Sequence, residues 1–356
     1  MKKKLADLRE QINKIDGKMI DLLNERANVA ISIGKIKKEK NKQIYAPERE
    51  KEVYRSITTV NKGPLQNFSL KAIYREIMSA TLNVEHPIKI AYLGPPATFA
   101  HLASLKKFGA SVDYLPCDSI RDVFFEVEKE RADYGVVPIE NSTEGVITHT
   151  LDMFIDSDLK ICSEISLEIS HNLLTNIDKN KIKRVYSNPY VFGQCRHWLE
   201  ENLPAVEHVE VSSTTKAAEF AKKDKNGAAI ASSLAAKIYG LKILASSIED
   251  SSENVTRFLV IGREEAGQTS SDKTSIMFSI KDRVGVLHDT LVPFQKYKIN
   301  LTKIESRPSK KKAWDYYFFV DLEGHHKDKK VKKALEELIE SCRFLKILGS
   351  YPLGEK

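Results

Sequence analysis

The first 37 residues constrain this chain most. Apolar side chains fall at Leu5, Leu8, Ile12, Ile15, Met19 and Leu22, then at Val29, Ile33 and Ile36. That three-four spacing describes a helix with one continuous apolar seam. The next position in register after Leu22 is Arg26. A guanidinium on such a seam is costly unless an anion meets it; the alternative is snorkelling, or pairing with a glutamate such as Glu25 or Glu39. Lys37 follows about three turns on, roughly 16 Å along the axis and on nearly the same face, so the two cations could hold a small dianion between them. Arg9 lies about 25 Å before Arg26 and roughly 100° around the helix. If Arg9 serves that pocket, it comes from a second chain.

Three zones follow one another along the 356 residues, a length that suggests two or three domains. Residues 1–86 are helical in pattern. After His86-Pro87, Ile88–Gly94 reads as a buried strand, and to about Gly262 short apolar runs alternate with helical stretches, as in an α/β domain. Residues 264–273 are polar and read as a linker. The last zone, 273–356, has the strand and helix order βαββαβ, with strands at 274–280, 299–306, 313–322 and 344–351 and helices near 286–297 and 329–341, a ferredoxin-like arrangement. Four cysteines (Cys117, Cys162, Cys195, Cys342) lie far apart, which points away from a zinc ribbon or disulfide framework and toward a reducing compartment. No apolar run reaches membrane-spanning length. The basic start is not followed by a signal-peptide core, because Asp7, Arg9, Glu10, Lys14 and Asp16 interrupt it. A cytoplasmic protein is expected. The net charge of +7 is compatible with anionic partners.

The residues of the first zone carry a specific likeness. Leu8–Asp16, Leu22–Arg26, Ile33–Lys37, Tyr45–Glu50, Ile73–Thr81 and Glu85 resemble the all-helical chorismate mutase family over residues 1–85. The resemblance implies that Arg26, Lys37 and a partner chain's Arg9 hold the two carboxylates of chorismate, supported by Arg49. Glu50 would meet the hydroxyl, Lys37 and Glu85 the ether oxygen, and Thr81 would line the pocket. It also implies an intertwined dimer. Ala46 stands where some members carry Asp, so a dead mutase arm serving only dimerisation is the alternative reading. Rearrangement to prephenate needs no cofactor; it needs a fixed conformer and stabilised charge on the breaking ether.

In the middle zone, Gly94–His101 follows a strand and opens a helix, a turn whose free N–H groups can suit anions. Ala132–Gly145 is a strand ending in Glu140, Asn141, Ser142 and Thr143, which is either a ligand site or a solvated loop. Ser187–Arg196 is a second donor-rich turn. In Asn254–Gly262, strand alternation puts Thr256 and Phe258 on one face and Arg257 on the other. Together Tyr92-Leu-Gly-Pro, Val137-Pro-Ile-Glu-Asn-Ser, His171-Asn-Leu-Leu, Phe192-Gly-Gln-Cys-Arg and Thr256-Arg-Phe resemble prephenate dehydratases over about 88–262. That likeness implies two α/β lobes like a type II periplasmic binding protein, the domain spanning 88–263 with its second lobe at about 165–245. It implies that Thr256 hydrogen-bonds or protonates the leaving hydroxyl, that Arg257 anchors or shapes the anion site, and that Glu140, Asn141, Ser187 and Gln194 complete the cleft. Ala97 replaces a usual Gly and Asn188 a frequent His.

The third zone resembles an ACT domain, through Asp282–His288 and Glu305-Ser-Arg-Pro308. Family members bind L-phenylalanine between two such domains, which implies an effector site at Gly285, Val286, Leu287, Glu305, Ser306, Arg307 and Pro308; Val286 replaces a usual Ala. His325-His326 and the lysines after them read as a solvated turn and helix start. The expected whole is an all-α mutase, a two-lobed α/β dehydratase and an α+β ferredoxin-like ACT domain, converting chorismate to prephenate and then to phenylpyruvate under feedback by phenylalanine. No cofactor, metal, nucleic acid or membrane is expected, and the assembly is a homodimer or tetramer. A non-catalytic amino-acid sensor is the rival from another class; Arg26, Lys37, Glu50 and Thr256 argue against it.

Overall fold

The computed structural model describes residues 2–39, 45–251, 253–280, 283–309 and 315–354; Asp282 lies outside them. The chain divides into two compact units, residues 1–89 with 107–113, and 90–106 with 114–356. Residues 107–113, which the sequence pattern places in the α/β zone, thus go with the helices.

The first unit contains α1 (Lys2–Glu39), α2 (Pro47–Val60) and α3 (Asn67–Glu85). At 1.5 Å per residue α1 is about 57 Å long. Its apolar seam finds no cover in the N-terminal half: Leu5, Leu8, Ile12, Ile15, Met19 and Leu22 are 49–64% exposed. Nearer its C-terminus α1 packs on α3. Gly34 makes that approach possible, because a Cβ there would collide with the Glu85 side chain of α3. Pro47 starts α2 where its missing N–H costs nothing.

In the second unit a first lobe begins with β1 (Lys89–Leu93), α4 (Phe99–Phe108), β2 (Asp113–Cys117), α5 (Ile120–Glu128), β3 (Tyr134–Asn141), β4 (Gly145–Val146), α6 (Thr148–Asp156) and β5 (Lys160–Glu168). The chain then builds a second lobe from β6 (Asn172–Thr175), β7 (Arg184–Ser187), α7 (Pro189–Gln194), α8 (Arg196–Asn202), β8 (Glu207–Glu210), α9 (Thr214–Lys223), β9 (Gly227–Ala231), α10 (Ser233–Tyr239) and β10 (Lys242–Ala245). It returns to the first lobe as β11 (Val255–Gly262). The first sheet runs β2-β1-β3-β11-β5 and the second β10-β6-β9-β7-β8, so β11 is a central strand of a sheet begun some 160 positions earlier.

One irregularity decides what that central pair presents. Arg257 pairs with Glu140 and Phe258 with Pro138, leaving Ile139 as an extra residue on β3. Proline cannot donate to a ladder, and a bulge is where a central strand tolerates it. Beyond the bulge Thr256 pairs with Asn141 and Arg257 with Glu140.

The C-terminal part is β12 (Asp272–Ile280), α11 (Val286–Lys296), β13 (Leu301–Pro308), β14 (Tyr316–Glu323), α12 (Lys329–Ser341) and β15 (Cys342–Pro352). Sheet order β13-β14-β12-β15 completes the ferredoxin-like fold read from the sequence. Two details differ from expectation. The linker is shorter and better packed, since Ala266, Asp272 and Lys273 are buried. His325 is buried rather than solvated, stacked on His326, which itself meets Ser350 of β15. Composition signalled polarity there but not the strand that covers it.

Candidate active sites

The helical unit encloses a cavity of about 480 Å³, within the usual range for small-molecule sites. Arg26, Lys37, Arg49, Arg75 and Lys107 line it against two carboxylates, Glu50 and Glu85. Cations in the wall of a mainly apolar cavity suit a dianion, with Arg26 and Lys37 better placed for it than Arg75, whose guanidinium meets Glu76 at 3.0 Å. Thr81 Oγ1 gives its hydrogen to the Ile77 carbonyl at 2.6 Å, so its lone pairs are left to accept from Arg26 Nη1 at 2.7 Å. Thr81 therefore fixes the guanidinium of Arg26. Lys37 Nζ stands 3.6 Å from Glu85 Oε1, a buried oxygen with no hydrogen-bond partner among the described residues. Burial pushes the Glu85 carboxyl above its ordinary range, partly offset by Lys37 and His86. A carboxyl so shifted, with a buried oxygen that makes no hydrogen bond, is suited to donate to a ligand oxygen whenever it carries its proton.

Glu50 Oε2 receives Tyr45 Oη at 2.8 Å and Lys107 Nζ at 2.9 Å. Arg49 lines the cavity, with its guanidinium on exposed Glu52. Ala46 caps α2 without a side-chain bond. Arg9 is not among the lining residues; it sits in a separate depression with Leu5, Ala6, Glu10 and Asn13. Neither Tyr45 nor Lys107 is a site candidate on sequence alone. Tyr45 lay within the quoted motif, whereas Lys107 carried no local signal.

Between the two lobes of the second unit, side chains form a directed polar chain. Asn141 Oδ1 accepts from Thr143 N, Thr143 Oγ1 and Glu144 N at 2.9, 2.6 and 3.0 Å. Backbone donors thereby fix the amide, and Nδ2 donates at 2.8 Å to both Thr256 Oγ1 and Asn254 Oδ1. Asn254 Nδ2 in turn donates to Gln194 Oε1 at 3.2 Å, and His171 Nε2 stands 2.8 Å from that oxygen. An oxygen already accepting makes His171 the donor. Burial holds its imidazole below the ordinary range despite Gln194 and Glu249, so the ring is neutral, with the proton on Nε2. Thr256, 8% exposed, is thus held as an acceptor from Asn141 while no acceptor among the described residues takes its own hydrogen.

Other sequence candidates are not brought to this chain. Arg257 and Glu140 point to the opposite face, as strand alternation requires. Arg257 Nε reaches Glu164 at 2.7 Å, Nη1 reaches Glu140 and Asp321 at 2.9 and 2.7 Å, and Nη2 reaches Tyr351 Oη at 3.0 Å. Lys303 pairs with Glu140 and Lys273 with Glu164, closing a cluster of three cations and three carboxylates. Burial opposes ionisation of Glu140 and Glu164, yet their cationic partners hold both carboxyls below the usual range. Arg257 thereby joins the first lobe to the C-terminal sheet. Ser187 is buried, its hydroxyl on the Ile230 carbonyl. The Gly94–His101 turn spends N–H groups internally: Gly94 on Cys117, Ala97 on His101 Nδ1 and His101 on Thr98 Oγ1. Ala97 holds φ +73°, the conformation that favours glycine. His171 and Asn254 complete the chain although neither was assigned a role from the sequence; His171 stood in a quoted motif.

In the C-terminal sheet Gly285 takes φ +78° at the start of α11, with Val286 buried and Leu287 40% exposed. On β13 Ser306 and Pro308 are exposed, while Glu305 lies on the face shared with Arg307. Arg307 is turned away from Ser306, paired at 3.1 Å with Asp152 of α6.

Comparison with known proteins gives these sites a context. Family models match over three spans: chorismate mutase type II at residues 8–86, prephenate dehydratase at 90–266, and ACT domain at 274–340. A bifunctional chorismate mutase/prephenate dehydratase from Aquifex aeolicus (strain VF5) is 54% identical over 353 residues, 98% of each chain. Another from Stutzerimonas stutzeri is 45% identical, covering 98% of this chain and 97% of the relative. The crystal structure of prephenate dehydratase from Arthrobacter aurescens in complex with L-Phe is 33% identical, with TM-score 0.70, covering 75% of this chain and 90% of its own.

Proposed function

The chain belongs to the bifunctional chorismate mutase/prephenate dehydratase family, and from that premise we propose how its residues divide the work. The enzyme converts chorismate to prephenate and prephenate to phenylpyruvate, with loss of CO2 and water. We assign residues 1–86 to the mutase, joined by the 107–113 segment, 88–263 to the dehydratase and 273–356 to the ACT domain. The observation that carries the mutase assignment is the cation-lined cavity with a Glu85 oxygen in it that makes no hydrogen bond among the described residues. Arg26, set by Thr81, and Lys37 take the carboxylates, with Arg49 at the edge of the cavity. Glu50 accepts the substrate hydroxyl, and Glu85 donates to the ether oxygen as its bond breaks and charge builds there. The exposed seam around Arg9 supports a homodimer in which a second copy covers it and brings its own Arg9; a tetramer would pair two such dimers.

Glu85 gives this account a pH signature. Only the protonated carboxyl donates, so the contribution is present at low pH and is lost as pH rises through the raised folded pKa. Chorismate turnover should therefore decline along that limb, and Glu85→Gln should flatten it. An unchanged pH–rate profile in Glu85→Gln would remove Glu85 from the mechanism.

In the dehydratase, the ring carboxylate leaves as CO2 and its bonding electrons enter the ring. The ring hydroxyl departs and acquires a proton as water. Thr256 Oγ–H is the donor to that oxygen, oriented by Asn141, with Asn254, Gln194 and His171 completing the array. Aromatisation drives the step, so hydrogen-bond donation by a weakly acidic hydroxyl is sufficient. Glu140, Arg257 and Ser187 serve the scaffold.

L-phenylalanine is the effector, held by the Gly285–Leu287 turn and the exposed Ser306 and Pro308 of β13, with Glu305 beside them. Arg307 serves docking through Asp152. Inhibition requires tighter binding to the less active arrangement. Phenylalanine should lower prephenate turnover, and Gly285→Val, strained at positive φ, should raise the half-inhibiting concentration at least about tenfold. An enzyme indifferent to phenylalanine would contradict the assignment. Four free, buried cysteines fit a cytoplasmic location. No helix among the described residues is long and apolar enough to cross a membrane.

A further inference from the structure

Lys107 lies inside the span of the dehydratase match, yet it groups with residues 1–89 and lines the mutase cavity. Its Nζ stands 2.9 Å from Glu50 Oε2, with the two side chains 19% and 13% exposed. The neighbouring Phe108 is buried against Tyr45, ring centroids 5.0 Å apart, and Lys107 Nζ lies 5.9 Å from the centre of the same tyrosine ring. Tyr45 then donates to the oxygen that Lys107 holds. Two donors hold Oε2 of this cavity-lining carboxylate, and Oε1 takes no hydrogen bond from the described residues, so it is available to accept one.

We propose that Lys107 is a positioning residue for the mutase reaction, acting through Glu50, so that the first reaction depends on a side chain supplied from within the dehydratase span. The physical case rests on burial. A mostly buried carboxylate is costly without a paired charge beside it. A long, flexible Glu side chain needs a second anchor to present one oxygen in one direction. Lys107 supplies both, and Phe108 fixes where it arrives. The inference rests on the reading of Glu50 as the partner of the substrate hydroxyl.

The test uses the full-length enzyme and chorismate kinetics on Lys107→Met, Lys107→Arg, Glu50→Gln and the Lys107→Met/Glu50→Gln pair. Loss of a charge-assisted hydrogen bond should lower kcat/KM for Lys107→Met by about tenfold or more. Lys107→Arg should restore activity to within about threefold, because it keeps the charge and reach. In the Glu50→Gln background Lys107→Met should add nothing, since two residues acting as one unit are not additive. Prephenate turnover, retained in each variant, reports an intact fold. If Lys107→Met loses that too, Lys107→Gln carries the same comparison. Full activity in Lys107→Met overturns the proposal. So does a loss that multiplies with that of Glu50→Gln, because Lys107 would then act independently of Glu50. Arg26→Ala, measured alongside, separates the two levels: if it leaves chorismate turnover intact, the reading of the whole cavity fails; if it abolishes turnover while Lys107→Met does nothing, only this inference fails.

Discussion

Arg26→Ala is expected to lower chorismate turnover by about 10²–10³-fold while prephenate turnover stays within about twofold of the parent enzyme. Arg26 is where the apolar seam of α1 is interrupted by a charge, and the structure answers the interruption with a hydrogen bond to Thr81 and a place in the cavity wall. Thr81 is neutral, so the guanidinium is not neutralised by it, and no carboxylate among the described residues forms an ion pair with Arg26. Alanine would remove that charge from a low-dielectric site where water replaces it poorly. The surrounding helices would barely notice, because alanine is the best helix former and Arg26 anchors no core packing. The loss should therefore fall on kcat/KM for chorismate and leave thermal stability nearly unchanged. A drop in both activities would indicate unfolding instead.

Thr256→Ala should do the reverse, lowering phenylpyruvate formation by about 10³-fold with prephenate formation intact. The hydroxyl is the only hydrogen at the end of the polar chain with no acceptor among the described residues, and its lone pair is taken by Asn141. Alanine deletes the donor and leaves Asn141 Nδ2 with Asn254 as its partner, so the packing cost is small. Serine should retain more activity than alanine, because it keeps the oxygen while losing the methyl group that restricts its rotamer. If Thr256→Ala retained dehydratase activity, the leaving hydroxyl would be served by another group.

Much of this arrangement was legible in the sequence for identifiable reasons. The βαββαβ order of the last zone was readable because each apolar run there has the length of one element and ends in turn residues. Alternation alone separated Thr256 from Arg257. What alternation could not supply was the identity of the partners on the far face: Asp321 and Tyr351 arrive from the C-terminal sheet and convert an expected anion-site arginine into the centre of a buried ion cluster. Arg307 is a similar case, taken by Asp152 of the first lobe. Pro138 was visible as a residue, but its bulge, which sets the Thr256–Asn141 pairing, is a property of two strands. The close approach at Gly34, where a Cβ would meet the Glu85 side chain, is a property of two helices and not of one. Lys107 had no signal of its own; only packing takes the end of α4 to Glu50.

One chain carries two separate sites that work in sequence. The most direct test feeds chorismate to purified Arg26→Ala, to purified Thr256→Ala and to a mixture of the two, following phenylpyruvate. Arg26→Ala should leave chorismate largely unconsumed, Thr256→Ala should accumulate prephenate, and the mixture should restore phenylpyruvate, because prephenate made by one variant is dehydrated by the other. Phenylpyruvate formed from chorismate by Thr256→Ala alone, or a mixture of active single-site variants that makes none, would contradict the account.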